Sequence, residues 1–143
     1  MPYEVDSIDR RIVSQVVQRP FRDRAFSVAI KAAYQDTCAV TSLKLINGGG
    51  RSEVQAAHIR PVAERGPDSV RNGLALSGTV HWMFDRGLIS VDDDYSLLIA
   101  SGGVPDTITR LINTERRLLL PSRTDERPHS QFLRYHHETV FEG

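Results

Sequence analysis

Residues 56–87, AAHIRPVAERGPDSVRNGLALSGTVHWMFDRG, hold two histidines, an asparagine and two aspartates between short apolar runs. Read with its N-terminal neighbours, the stretch opens with a short strand, EVQAAHI, which Pro61 ends because proline cannot donate to a ladder. The next residues, VAERGPDSVRN, are rich in turn formers and read as a loop. GLALS is a second short strand, and GTVHWMFDRG has the length and closing glycine of a short helix. The order is strand, loop, strand, helix. His58 falls near the end of the first strand, and Asn72 falls just before the second. His81 and Asp85 lie four apart on the helix, so they share one face with about 6 Å between their β-carbons.

That placement has chemical content. A histidine nitrogen beside a carboxylate oxygen suits a divalent metal with positions left open for substrate. His58, arriving from a separate element, would approach the same point as a general base, with the Asn72 amide orienting one or the other. Spacing alone leaves plainer readings open. A histidine near an apolar strand is often a hydrogen-bonded core residue, an i, i+4 His/Asp pair is often a surface pair worth a few tenths of a kcal/mol, and Asn-Gly is often only a turn.

Outward from the motif, DSIDRRIVSQVVQ predicts a helix with Ile8, Ile12, Val13, Val16 and Val17 on one stripe and Asp6 or Ser7 as its N-cap. Pro20 is expected to interrupt it. FRDRAFSVAIKAAY then predicts a second helix with Phe26, Ala29, Ile30 and Ala33 inward. TCAVTS reads as a short strand and INGGGRS as a flexible turn. Beyond the motif, LISVDDDYSLLIA predicts a hairpin turning at residues 92–94, and DTITRLIN a further short helix. HSQFLRYHHETVF predicts a last helix docked by Phe132, Leu133, Tyr135 and Val140. His129, His136 and His137 are assigned to packing and surface, since adjacent helical side chains diverge by about 100°.

The chain has 143 residues, 40% of them hydrophobic and 25% charged, which suits one soluble domain with a real core. No apolar run is long enough to span a bilayer, and the N-terminus lacks the apolar centre of a signal peptide, so a cytoplasmic protein is expected. Cys38 is the single cysteine, which excludes an internal disulfide and a multi-cysteine zinc ribbon. Net charge is zero, so the overall basic footprint of a nucleic-acid binder is missing. Of the 18 basic residues only Lys31 and Lys44 are lysine. Arginine's planar fork suits phosphate, although a GC-rich genome gives the same bias.

His58, Asn72 and His81 resemble the three named residues of the HNH nucleases, which share the ββα-metal fold. The N-x8-H spacing from Asn72 to His81 and the histidine some fifteen residues before the asparagine are typical of that family. The H-x3-D step to Asp85 is similar to the H-x3-H step of colicin nuclease domains. AYQDTCAVTS, AAHIRPVAERGPDSVRNGLALS, HWMFDRGLISVD and the closing FLRYHHETVF resemble the branch found in bacterial restriction-type endonucleases, over roughly residues 21–141. The resemblance implies an α+β fold: a ββα-metal core over residues 36–92, a helical N-terminal extension (5–34), a β-hairpin, and a C-terminal extension (104–143) ending in a helix, all in one nuclease domain.

It also implies a restriction- or defence-type endonuclease that hydrolyses DNA phosphodiester bonds with one divalent ion. His58 would be the general base, a role suited to a side chain that titrates near neutrality. His81 and Asp85 would hold the metal, and Asn72 would hold the loop and orient His58. Arg60, Arg65, Arg71 and Arg86 are candidates for phosphate contacts. The departures are specific. In many HNH domains an aspartate or histidine directly before the base supplies a ligand, which Ala57 cannot do. Two protein ligands then remain, or a third is borrowed from a carboxylate such as Glu53. A hard, hydrated Mg²⁺ or Mn²⁺ tolerates that better than a structural zinc does, so no structural zinc is expected. The partner expected is DNA, not a membrane, with base reading left to a homodimer or a separate recognition domain. The alternative is a catalytically impaired HNH-fold module that only binds DNA.

Overall fold

The structure, a computed structural model, describes residues 7–143, with side chains described from Gln18 onward. Helix α1 (Ser7–Ala33) leads into a turn-rich segment, then β1 (Gln55–His58), β2 (Gly73–Leu76), α2 (Gly78–Asp85), β3 (Ile89–Val91), β4 (Leu97–Ile99), α3 (Asp106–Thr109) and α4 (Ser130–Thr139). The expected strand, loop, strand, helix unit is present as β1, the 59–72 loop, β2 and α2. The two strands form an antiparallel ribbon in the register Gln55↔Leu76, Ala56↔Ala75, Ala57↔Leu74 and His58↔Gly73. The expected hairpin is the second ribbon, β3 with β4. Its turn is held where the aspartates stand: Asp92 accepts from the Asp93 amide and Asp94 from the Ser96 amide. The architecture is α+β.

Position 73 explains how α1 meets the ribbon. A β-carbon there would stand 2.2 Å from Ile30 Cδ1 and 2.7 Å from Phe26 Cζ. Only a residue without a side chain lets the helix approach this closely. Phe26, Ile30, Ala33 and Tyr34 are buried on that face. Ala29 is exposed, against expectation: the buried set steps i, i+4, i+7, i+8, and position 29 falls off its edge. The apolar stripe from Ile8 to Val17 and the Asp6 or Ser7 cap lie outside the residues whose side chains are described.

Two further expectations fail. Pro20 sits inside α1 and does not end it. A proline removes one ladder bond and crowds the turn before it, but the following segment is docked on the core through Phe26 and Ile30, and Arg19 is tied to Asp68. TCAVTS is not a strand. Its buried backbone joins three separate segments instead of one partner: the Ala39 amide donates to Ala75, the Asn113 amide to Val40, and the Leu119 amide to Ala39. INGGGRS is a turn as expected, closed by the Ile46↔Ser52 bridge. Asn47 Oδ1 accepts there from the amides of Gly49 and Arg51.

One apolar cluster runs from Phe26 on α1 through Leu74, Phe84 and Ile89 to Leu133 on α4. Cys38 is fully buried in it. Helix α4 starts at His129, whose Nδ1 accepts from the Gln131 amide. Leu133 is buried, as expected of the docking face, and so is His136. His136 lies flat on Phe84, with ring centroids 3.7 Å apart. Its Nε2–H donates to the Phe84 carbonyl at 2.7 Å, and Ser90 Oγ–H donates to its Nδ1 at 2.7 Å. Burial pushes its pKa down to about 4, so the ring is neutral. It fastens α4 to the helix that carries His81 and Asp85. No helix among the described residues is long and apolar enough to cross a membrane.

Candidate active site

Strand β1 sorts its residues between two environments. Successive side chains face opposite ways: Ala57 is 0% exposed in the core, while Ala56 and His58 line an open cleft of about 550 Å³. His81 and Asp85 of α2 line the same cleft, with Arg19 and Asp23 of α1 and Pro61 and Val62 of the loop. The structure therefore brings His58, His81 and Asp85 to one place, and Ala57 does not face it.

Asn72 is fully buried behind the cleft. Its Oδ1 accepts from the Arg60 amide at 2.9 Å, and its Nδ2 donates to the carbonyls of Arg60 (3.0 Å) and Pro67 (2.9 Å). Its own carbonyl accepts from the Ile59 amide at 2.9 Å. One amide with both donors and an acceptor closes the base of the 59–72 loop, which is the inventory this position needs. It reaches the backbone beside His58 and not the imidazole.

His81 Nε2 and Asp85 Oδ2 are 3.2 Å apart. Cis ligands at about 2.1 Å from one ion stand roughly 3 Å apart, so this spacing fits a shared divalent cation. The other ring nitrogen, Nδ1, is 2.7 Å from Gln55 Oε1 and donates to it, which turns the Nε2 lone pair toward Asp85. Gln55 is the orienting partner that spacing did not reveal. Among the described residues no group of three His, Cys, Asp or Glu is placed to hold a metal. Glu53, considered as a borrowed ligand, is instead at the start of α2, where Oε1 accepts from the Gly78 amide at 3.1 Å. That exposed helix end offers unpaired N–H groups to a carboxylate.

His58 has its own neighbours. Its ring rests on Phe26, with centroids 3.9 Å apart, and Nε2 lies 2.9 Å from Asp68 Oδ1. Asp68 also takes Arg19 Nη2 on Oδ1 at 2.7 Å and Nη1 on Oδ2 at 3.1 Å. Hydrogen bonding from Arg19, above all, holds the Asp68 carboxyl below the usual carboxylate range, with His58 adding to it. An ionised carboxylate only accepts, so His58 Nε2–H donates. Neither Asp68 nor Arg19 was singled out in the sequence. Asp68 sits among turn formers, and Arg19 is 39 residues before the histidine it serves.

None of the four motif arginines lines the cleft. Arg60 donates to the Glu64 carbonyl and lies over Tyr135. Arg71 donates to the Arg127 carbonyl. Arg86 is exposed and stacks on Trp82. Arg65 is exposed at a left-handed backbone position, φ 68°.

Residues 38–92, the span holding β1, the loop, β2, α2 and β3, match the family model described as HNH endonuclease. That segment is similar to HNH endonucleases. No curated protein matches the chain. Among solved structures, the chain is similar to one titled "Modification dependent TagI restriction endonuclease", with 24% identity and a TM-score of 0.60 over 81% of this chain. The match covers 37% of that protein, so it reports on the fold alone.

Proposed function

We propose that this HNH domain is a metal-dependent endonuclease that hydrolyses DNA phosphodiester bonds, acting in restriction or defence. The observation that carries the reading is the cleft that sets His58 against the His81–Asp85 pair. His81 Nε2 and Asp85 would hold one Mg²⁺ or Mn²⁺, a hard ion content with few protein ligands. When bound, such an ion polarises the phosphate and stabilises charge on the departing 3′ oxygen. His58 takes a proton from the attacking water through Nδ1, the ring nitrogen without a partner among the described residues. Asn72 holds the loop so that the His58 backbone stays in register. The exposed Arg65 and Arg86 are assigned to DNA phosphates, while the half-buried Arg60 and Arg71, whose Nε–H groups donate to the Glu64 and Arg127 carbonyls, hold the loop and the C-terminal segment. Base recognition is assigned to a second copy or a separate domain, in line with the small share of the restriction endonuclease that the match covers.

Nicking of supercoiled plasmid in Mg²⁺ or Mn²⁺ tests this. Wild type is expected to cut, and His58→Ala to lose at least about 100-fold in rate. Equal cleavage by both proteins removes the general-base assignment. A wild type that binds the plasmid and cuts it in neither metal makes the module a DNA binder without catalysis.

A further inference from the structure

His58 is gripped by groups that lie outside the histidine–asparagine–histidine pattern. Asp68, from the loop, takes Nε2–H at 2.9 Å. Both oxygens of that carboxylate are also bonded by the Arg19 guanidinium, and Arg19 Nε is bonded to Asp23 at 2.8 Å. Phe26, one helical face further along α1, is the floor under the ring. The groups that face His58 are thus Asp68 from the loop, Arg19, Asp23 and Phe26 from α1, and His81 and Asp85 across the cleft from α2. Arg19, Asp23 and Phe26 all precede the residues 38–92 that match the HNH family.

We propose that Asp68 is the positioning residue for His58 and that Arg19 orients Asp68, so that helix α1 is a working part of the nuclease site. This rests on the nuclease reading for its kinetic consequences, but not for its geometry. A carboxylate that can only accept fixes the His58 proton on Nε2 and leaves Nδ1 unprotonated. In the reaction the water proton passes to Nδ1 while the water oxygen bonds to phosphorus. The P–O3′ bond breaks with its electron pair on the 3′ oxygen, which then takes a proton from solvent. Asp68 steadies the imidazolium formed on the way, as the third member of a nucleophile–base–orienter set does. Arg19 does two things. It keeps Asp68 ionised, and by bonding both oxygens, Oδ1 beside His58 included, it holds the carboxylate in place against the ring.

The discriminating variant is Asp68→Ala, with Arg19→Ala beside it. Removing the carboxylate takes away the acceptor that fixes the ring proton on Nε2. Nitrogen chemical shifts of His58 in the isotope-labelled full chain read this directly: Nε2–H is expected in wild type and a mixture of the two neutral tautomers in Asp68→Ala. Plasmid nicking in Mg²⁺ is expected to fall by at least about 100-fold in kcat, with KM moving far less. Arg19→Ala leaves the carboxylate on His58, so it is expected to keep Nε2–H and to lose less than Asp68→Ala. Nδ1–H in wild type, or an Asp68→Ala protein that cuts within about threefold of wild type, overturns the proposal. The wild-type tautomer decides without any variant if Asp68→Ala misfolds. A tautomer that loosens as expected in a protein that never nicks leaves the positioning intact and overturns the nuclease reading instead.

Discussion

His136 makes the stability of this protein sensitive to mild acid, and by a calculable amount. The folded state keeps the ring neutral, with a pKa of about 4 against an ordinary value of 6.5. Between those limits the unfolded chain binds one more proton than the folded one, so stability falls as pH falls. The contribution is complete above about 6.5. Linkage gives a loss of about 2 kcal/mol by pH 5 and about 3 kcal/mol by pH 4, a large share of a typical domain's stability. The Asp68 carboxyl, held low, acts later: its contribution is present above its ordinary value of 3.8 and is lost below that as pH falls through its lowered pKa. The assay is urea unfolding of the full chain at pH 7, 6 and 5, with His136→Phe beside wild type. The phenylalanine keeps the stack on Phe84 but orphans the buried Ser90 hydroxyl and leaves the Phe84 carbonyl with backbone donors only, so the variant starts lower at pH 7 by about 2 kcal/mol. It should then lose much less on acidification, and the two curves should converge near pH 5. A wild type equally stable at pH 7 and 5, or a variant with the wild-type slope, refutes the reasoning.

Three further outcomes follow from the site and its supports. Ala57→Asp places a carboxylate in the core and supplies no ligand, so urea unfolding should show a loss of about 4 kcal/mol, whereas Ala56→Asp, facing the cleft, should leave the fold intact and tighten Mn²⁺ binding measured by calorimetry. Asn72→Asp keeps the shape but replaces two donated hydrogen bonds by a buried acceptor, and should cost about 3 kcal/mol in the same unfolding experiment; a near-neutral result would mean the loop is held some other way. Gly73→Ala drives a methyl into Ile30 and Phe26 and should cost about 2 kcal/mol, with a shift in the His58 ring resonances because Phe26 is the surface on which that ring lies.

The motif unit was legible because its signals are local. Pro61, the turn-rich loop, Asn72-Gly73 and the apolar steps of α2 each punctuate the chain within a few residues, and β1, β2 and α2 appear where they point. TCAVTS misled because a buried apolar run has no period of its own, and its backbone serves three partners distant in sequence. Pro20 misled because the local cost of a proline was outweighed by docking further along the helix. His81 and Asp85 could be paired from helical spacing, and His58 joins them in the cleft. Their supports were hidden. Gln55, Asp68 and Arg19 act across loops and elements, where no periodicity links donor to acceptor. The position before His58 raised an expectation of a missing ligand, yet strand alternation turns it toward the core.

Trp82 gives the site an instrument of its own. It is the chain's only tryptophan, it is 53% exposed, and it stands next to His81 on α2 with the Arg86 guanidinium 4.3 Å above its ring. Selectively excited tryptophan emission from this protein is therefore the emission of one helix face. A phosphate that drew Arg86 away would remove a positive charge from the indole, and an ion held between His81 and Asp85 would stiffen the same turn. Both events can be followed optically in the unlabelled chain.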